Sequence, residues 1–424
     1  MKKNVLYISY HYPPSNSVGS NRSYSQVSAL RELGHQVKVI YAANDETRYV
    51  FNDHHIPHLD DLIMDVSDSL GSKIYNKSSY IKHFIIKFLP KKILTFIRNI
   101  KLFLFGDEKN WNNDHNFNLA LSLLKEFKPD VLISTSGPIE NHSFASRFKK
   151  LHQSYWIAEY RDSWSFDPMQ PAASPSDLSS RLLRAKERRV IQDTDLILSV
   201  SPLIHSYYQS YFNKKSYLIL SGWLESQVKL PSPRYIQKDT TSKINVLHLG
   251  SMLLGKRSPI PIIDLFENNA LLQDAFNIFF IGRDTKLFKS YLAKTSNAKS
   301  AISLIPEVDF FQARAEGLNS DLLLLLMMND PGERYVVTGK IYEYIYLNKP
   351  IIIIDSYQSE ASKLIEEYSL GYVCKSIAQF EALMIKLSKV SKLDQAESLS
   401  KNAREKFNVI NAMKTFMIHL NDHA

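Results

Sequence analysis

One cysteine, Cys374, stands in 424 residues. A single thiol excludes an internal disulfide and a cysteine zinc cluster, and a reducing cytoplasm is the expected compartment. Long apolar runs are also absent. The longest, Leu322 to Met328, has seven residues, against roughly 18 for a membrane-crossing helix. Near the start, Val5-Leu6-Tyr7-Ile8 gives way at once to polar residues, so no signal-peptide core is expected. No GxGxxG follows that first strand-like run, which argues against an NAD-dependent oxidoreductase. The chain reads as soluble or peripheral.

What is present is an ordinary globular composition, 44% hydrophobic and 22% charged, on a length that suits two domains rather than one core. The formal net charge of +9 favours anionic partners. The basic residues are not grouped as in a nucleic-acid motif, and no nucleic-acid partner is expected.

Short apolar runs alternate with helical patterns. The first half offers strands at Val5–Ser9, Val37–Tyr41, Val131–Ser134, Trp156–Tyr160, Leu196–Val200 and Tyr217–Leu220. The second offers Val246–Leu249, Ile278–Ile281, Ile302–Ile305, Leu322–Leu326, Ile351–Ile354 and Tyr372–Cys374. Helical patterns lie between them, among them Ser23–Leu33, Asn116–Phe127, Ser180–Ile191 and Lys340–Leu347. This alternation predicts an α/β protein of two Rossmann-like domains, each a parallel sheet covered on both faces. The polar, proline-bearing stretch Ser226–Lys243 marks the boundary, with domains over 1–225 and 243–395. The remaining 396–424 carries a terminal helix that packs on either half, the amino-terminal domain being the favoured place. Ligands of such sheets bind beyond the strands' carboxyl ends, so a cleft between facing domains is the default site.

Five strand-end segments could carry chemistry. Ser9 to Arg22, with Gly19, joins the first strand to its helix. Small residues there let backbone amides approach a phosphate, although an ordinary βα loop explains it as well. In Ser134-Thr-Ser-Gly-Pro-Ile-Glu-Asn-His142, a glycine turn brings an imidazole to a helix start, where it could meet a sugar hydroxyl or simply cap the helix. In Glu159-Tyr-Arg-Asp162, Arg161 and Asp162 could position an acceptor or form a buried structural ion pair. Leu249-Gly-Ser-Met-Leu-Leu-Gly-Lys-Arg257 offers Gly250 and Ser251 for close backbone approach. Its cations Lys256 and Arg257 can meet the charge that grows on a leaving diphosphate, or be solvated surface cations. Finally, Gly339-Lys-Ile-Tyr-Glu-Tyr344 opens a helix with Lys340 and places Glu343 one turn in. That carboxylate can accept two hydrogen bonds from ribose hydroxyls; a favourable acid in a first helical turn is the simpler alternative.

In their order along nearly the whole chain, these segments resemble glycosyltransferase family 4, retaining enzymes of the GT-B architecture. The resemblance rests on Tyr12-Pro-Pro14 with Gly19, Leu33-Gly-His35, Thr135-Ser-Gly-Pro138 with His142, Arg161-Asp162, Leu249-Gly-Ser251, Lys256-Arg257, and Gly339 to Tyr344 with Lys349-Pro350. It implies transfer of a sugar from a nucleotide-sugar donor, UDP-linked in the first instance, to a growing surface glycan or lipid-linked glycan such as O-antigen or capsule. It implies retention of configuration, attack on the leaving-group face, and no need for a divalent metal or other cofactor. By the same resemblance Glu343 binds the donor ribose, Lys256 or Arg257 the diphosphate, Gly19 lies near the donor phosphates and acceptor, and His142 touches the transferred sugar. The family often has a second glutamate eight positions before the ribose-binding one; here that position is Tyr335, with Glu333 out of register. Tyr335 motivates an alternative, a non-catalytic partner in a glycan-assembly complex. A sugar-nucleotide epimerase of the same architecture is another. Asp193-Thr-Asp195 formally matches the DxD of metal-dependent transferases, but it lies where a helix runs into a strand and reads as a connector.

Residues 81–105 carry six cations, Lys82, Lys87, Lys91, Lys92, Arg98 and Lys101, and no acid, among many large apolar side chains. Pro90 divides the stretch into two short helices. It reads as an interfacial contact with an anionic membrane or as a cover helix on the amino-terminal domain; the first places the protein on the inner face of the plasma membrane. Anionic liposomes should then sediment the protein at low salt, and replacing these cations with glutamine should abolish that sedimentation. Undiminished sedimentation of the glutamine variant would exclude the membrane contact.

Overall fold

The computed structural model describes residues 2–13, 18–41, 62–64, 93, 96, 100, 112–124, 126–162, 164–165, 178–225, 229–237, 243–255, 257–327, 337–390 and 401–423. The chain divides into two compact units, Met1–Ser221 with Val409–Ala424, and Gly222–Asn408.

The first unit holds β1 (Asn4–Ser9), β2 (Gln36–Tyr41), β3 (Leu62–Met64), β4 (Val131–Thr135), β5 (Tyr155–Tyr160), β6 (Leu196–Ser199) and β7 (Ser216–Leu218). They form one parallel sheet in the order β3-β2-β1-β4-β5-β6-β7. Its helices are α1 (Val18–Glu32), α2 (Asp114–Leu124), α3 (Glu140–Leu151), α4 (Leu178–Val190) and α5 (Pro202–Phe212). The strands are nearly continuous apolar runs because both faces are covered. One face buries Leu6, Ile8, Leu132, Trp156 and Ile197 against the helices Asp114–Leu124 and Glu140–Leu151. The other buries Val5, Tyr7, Val39, Ile133 and Leu198.

The second unit holds β8 (Ile244–Leu249), β9 (Phe276–Gly282), β10 (Ile302–Pro306), β11 (Leu322–Leu326), β12 (Ile351–Ile354) and β13 (Gly371–Cys374), again all parallel, in the order β10-β9-β8-β11-β12-β13. Its helices are α6 (Ile260–Glu267), α7 (Ala270–Ala275), α8 (Thr285–Leu292), α9 (Phe310–Asn319), α10 (Lys340–Leu347), α11 (Glu360–Glu367), α12 (Ile377–Leu387) and α13 (Lys401–Lys406). The last helix, α14 (Val409–His423), returns to the first unit. It packs along α1 and adds Met413, Phe416, Met417 and Leu420 to the core of that sheet face.

Each expected strand coincides with an observed one to within two residues at either end. The exception is β3, which was not expected; three residues at a sheet edge are too few to show a period. The helix after β1 starts at Val18, five residues before the expected Ser23.

The contact boundary falls between Ser221 and Gly222, so the described part of the expected linker belongs to the second unit. The reason is Glu316 on α9, fully buried. Its carboxylate accepts the N–H groups of Arg234 (2.6 Å), Tyr235 (3.2 Å) and Ile236 (2.8 Å) and the Gln312 Nε2 amide (2.6 Å). Glu316→Ala would strand these donors, at a cost of about 2–4 kcal/mol. Hydrogen-exchange mass spectrometry should show the amides of 234–236 exchanging faster in that variant while those of β1 and β4 keep their protection.

Candidate functional site

In both sheets the connections diverge at one place, between β1 and β4 in the first unit and between β8 and β11 in the second. Such a switch point opens a crevice at the carboxyl ends of its strands. The loop after β8 and the helix after β11 meet there. Gly250, directly after β8, has φ +117°, and a Cβ on it would run into Cε and Nζ of Lys340. Glycine is needed twice over, for the backbone angle and for the approach of the lysine. Tyr344 pins α10 to both strands: its Oη accepts from Leu249 N–H (3.0 Å) and donates to Leu324 O (3.1 Å).

Beneath them His248 is fully buried on β8. Its Nδ1 donates to Leu324 O (3.0 Å), and Nε2 has no hydrogen-bond partner. Burial first, then the charges of Lys340 and Arg257, hold its pKa well below the usual histidine range. The imidazole is therefore neutral under two cations. Among the expected residues, Gly250, Ser251, Arg257, Lys340 and Glu343 lie in this unit, at the loop after β8 or on α10. Lys256, Glu333 and Tyr335 lie outside the described residues.

Glu343 is not an isolated helix acid. Arg314 of α9 donates to both its oxygens, Nε to Oε2 at 2.9 Å and Nη2 to Oε1 at 3.1 Å. The guanidinium side chain is 4% exposed and the carboxylate side chain 29%. Sequence reasoning missed Arg314 and His248. No spacing rule links an arginine to an acid 29 residues further on, and a histidine within Leu247-His248-Leu249 reads as a strand interruption.

The first unit gathers a second set at its own switch point. Glu159, fully buried at the end of β5, accepts Arg22 Nε (3.0 Å) and Nη2 (2.7 Å) and Gln26 Nε2 (2.6 Å), all on Oε1. Burial alone would raise this carboxyl; Arg22 and the hydrogen bonds outweigh it and hold it below the usual range. Arg161 donates to Ser136 O through Nε (2.8 Å) and to Gly137 O through Nη2 (3.2 Å). A Cβ on Gly19 would run into Arg161 Nη1, so that glycine makes room for the guanidinium. Two expectations are corrected here. Gly19 lies inside the first turn of α1, not in a loop, because the helix begins at Val18. The buried ion pair of this motif is Glu159 with Arg22, not Arg161 with Asp162; Asp162 is exposed.

His142 also differs from expectation. It is fully buried instead of open, because α3 starts at Glu140 and its first turn faces the sheet. Ser134 Oγ bridges His142 Nδ1 (2.8 Å) and Trp156 Nε1 (2.9 Å), and the Tyr160 ring lies 4.6 Å from the imidazole. His142 Nε2 has no hydrogen-bond partner. Burial drives its pKa down to about 3, with the Arg161 charge adding and Glu159 opposing. The Asp193–Asp195 connector is structural: Asp195 Oδ2 accepts Lys149 Nζ (2.6 Å) and Trp156 N–H (2.7 Å). Among the described residues no group of three or more metal-ligating side chains converges, and no helix is long and apolar enough to cross a membrane. Of segment 81–105 only Ile93, Phe96 and Ile100 are described, the first two being exposed.

No family model and no curated protein matches the sequence. Solved structures do match over the whole chain. Sucrose-phosphate synthase from Thermosynechococcus elongatus aligns with TM-score 0.59 at 12% identity, covering 100% of both chains. The lipopolysaccharide outer core galactosyltransferase WaaB, in its apo form, gives 0.55 at 13%, covering 99% of this chain and 100% of that one. This is the GT-B fold. A chain from Listeria monocytogenes assigned as a UDP-N-acetylglucosamine 2-epimerase shares it, with TM-score 0.54 at 11% identity, covering 100% of this chain and 97% of that one. GT-B architecture thus accounts for both parallel sheets.

The buried imidazole gives a prediction with a definite sign. His142 resists protonation when folded, with a pKa of about 3, whereas the unfolded chain takes the proton near 6.5. Its contribution is intact above pH 6.5 and is lost as pH falls from 6.5 towards 3, by about 1.4 kcal/mol per unit. Urea unfolding across that window, followed on the first unit, should show a shallower acid decline in His142→Asn.

Proposed function

We propose that this GT-B chain is a glycosyltransferase that takes its sugar from a nucleoside-diphosphate donor, UDP-linked in the first instance. The observation that carries this reading is the meeting, at the switch point of the second sheet, of Gly250, Lys340 and Glu343. The side-chain-free backbone of Gly250, with Lys340 of α10 packed against it, suits a diphosphate. Partly exposed one turn further on, Glu343 suits the ribose hydroxyls. Ser251 lines the same approach, and Arg257, with Lys256 beside it in sequence, meets the charge that grows on the diphosphate as it leaves. In this reading side chains and the helix start do the work a divalent metal does elsewhere.

The acceptor side belongs to the first unit. Arg161 and Asp162 position the acceptor, and Gly19 leaves room beside them. In the transfer, the bond from the sugar's anomeric carbon to the diphosphate oxygen breaks. The bond to the acceptor oxygen forms, and the acceptor's proton passes to the departing diphosphate. Attack on the leaving-group face retains configuration. The finer reading, a retaining enzyme of family 4 that builds a surface glycan on a lipid-linked acceptor at the inner membrane face, is supported by the ordered motifs and by the basic, apolar segment 81–105.

A thermal-shift panel of UDP, GDP, CMP and their sugars tests the donor class. One of the diphosphates should stabilise the protein, and Glu343→Ala should raise its Kd by about tenfold or more with the fold intact. Wild-type affinity in that variant would remove Glu343 from the site. Turnover of a nucleotide sugar to its epimer without any acceptor would favour the epimerase that shares this fold.

A further inference from the structure

The Arg314–Glu343 pair does more than neutralise a helix acid. We propose that Arg314 is a positioning residue that fixes the Glu343 carboxylate so that its exposed edge accepts a ribose hydroxyl of the ligand. This rests on the reading of Glu343 as the ribose acceptor and adds to it the residue that makes that acceptor specific.

The contact is a fork, with one guanidinium nitrogen on each carboxylate oxygen, at 2.9 and 3.1 Å. Each oxygen of a carboxylate has two acceptor positions. A bidentate guanidinium uses the inner one on each and leaves the outer one on each, at opposite edges of the group. Each edge of the carboxylate therefore keeps one acceptor, and a single ribose hydroxyl at the exposed edge is the complementary donor. Glu343 is 29% exposed and Arg314 only 4%, so the open side of the pair belongs to the carboxylate.

The arginine is itself immobilised. The Phe310 ring lies 4.4 Å from its guanidinium carbon and the Tyr346 ring 4.0 Å. Phe310 is one turn earlier on α9, and Tyr346 is three residues beyond Glu343 on α10. Both helices thus fix the fork, and through it the carboxylate, before any ligand arrives. Charge favours the same role. A bare carboxylate one turn from Lys340 would repel a diphosphate. Paired with Arg314 it carries no net charge, so Lys340 keeps its attraction while the acceptor positions remain. A lysine at 314 would supply the charge without the planar fork.

The test uses the full chain and isothermal titration calorimetry. Wild-type protein is titrated with UDP and GDP, and whichever binds is compared with its 2′-deoxy and 3′-deoxy forms. The wild type should favour the ribonucleotide. Arg314→Met should weaken ribonucleotide binding about tenfold or more and bring the deoxy-to-ribo Kd ratio close to one. Glu343→Gln should lower the same ratio, and the double variant should lower it no further. Arg314→Lys should not restore it. A merely structural arginine would weaken all the nucleotides in parallel and leave the ratio unchanged, and that result in Arg314→Met would overturn the proposal. Should Arg314→Met fail to fold, a wild-type ratio in Arg314→Lys overturns it equally. Wild-type binding of neither UDP nor GDP would instead overturn the underlying reading of Glu343, and the proposal with it.

Discussion

A parallel sheet covered on both faces has no polar surface of its own except at the strand ends. Polar chemistry must therefore gather at those ends, and most densely where neighbouring connections part. In the second unit that place lies between β8 and β11. The remaining features there follow from it. Gly250 is needed because the chain must turn off β8 under an incoming lysine. Tyr344 is needed because the helix after β11 must be tied to both strands. Glu343 reaches the mouth because it lies one turn along that tied helix. The first unit repeats the plan with Gly19, Gly137 and Arg161.

Buried carboxylates show how differently one charge can be accommodated. Glu159 is ionised, because Arg22 supplies a cation and Gln26 an amide. Glu316 has three consecutive backbone N–H groups instead and so ties a chain segment to a helix. Glu187 is met by the hydroxyls of Ser165 and Tyr208. Burial pushes its carboxyl up and these hydrogen bonds only partly oppose the rise. Of these four, only Glu343 combines a buried cationic partner with an open side. The first three use their hydrogen-bonding capacity largely inward, whereas the fourth keeps part of it for something outside the protein.

The sheets were legible because their strands are long apolar runs cut by polar turns; Leu322–Leu326 and Ile351–Ile354 are five leucines and four isoleucines. The strand-end glycines and the helix opened by Lys340 were legible for the same reason, since a glycine or a cation just after such a run has few other uses. Direction and partnership were not. That His142 turns into the core depends on where α3 begins, and Asn141 and His142 differ by one position on a helix whose first turn is largely buried. That Glu159 pairs with Arg22 depends on a contact across 137 residues. Arg314 has no motif at all, because its meaning comes from two rings and a carboxylate on helices that a strand separates in the chain.

The helix α14 belongs to the first unit although it is made after the whole of the second. Its side chains Met413, Phe416, Met417 and Leu420 complete a core that Val5, Val27 and Leu30 begin. On the ribosome, then, the amino-terminal sheet emerges first but stays only partly covered on the α1 side while some 190 further residues are translated (Gly222–Asn408, a span read at about 5–20 residues per second). The second unit is continuous in the chain and can close in that interval, so the order of completion runs opposite to the order of synthesis.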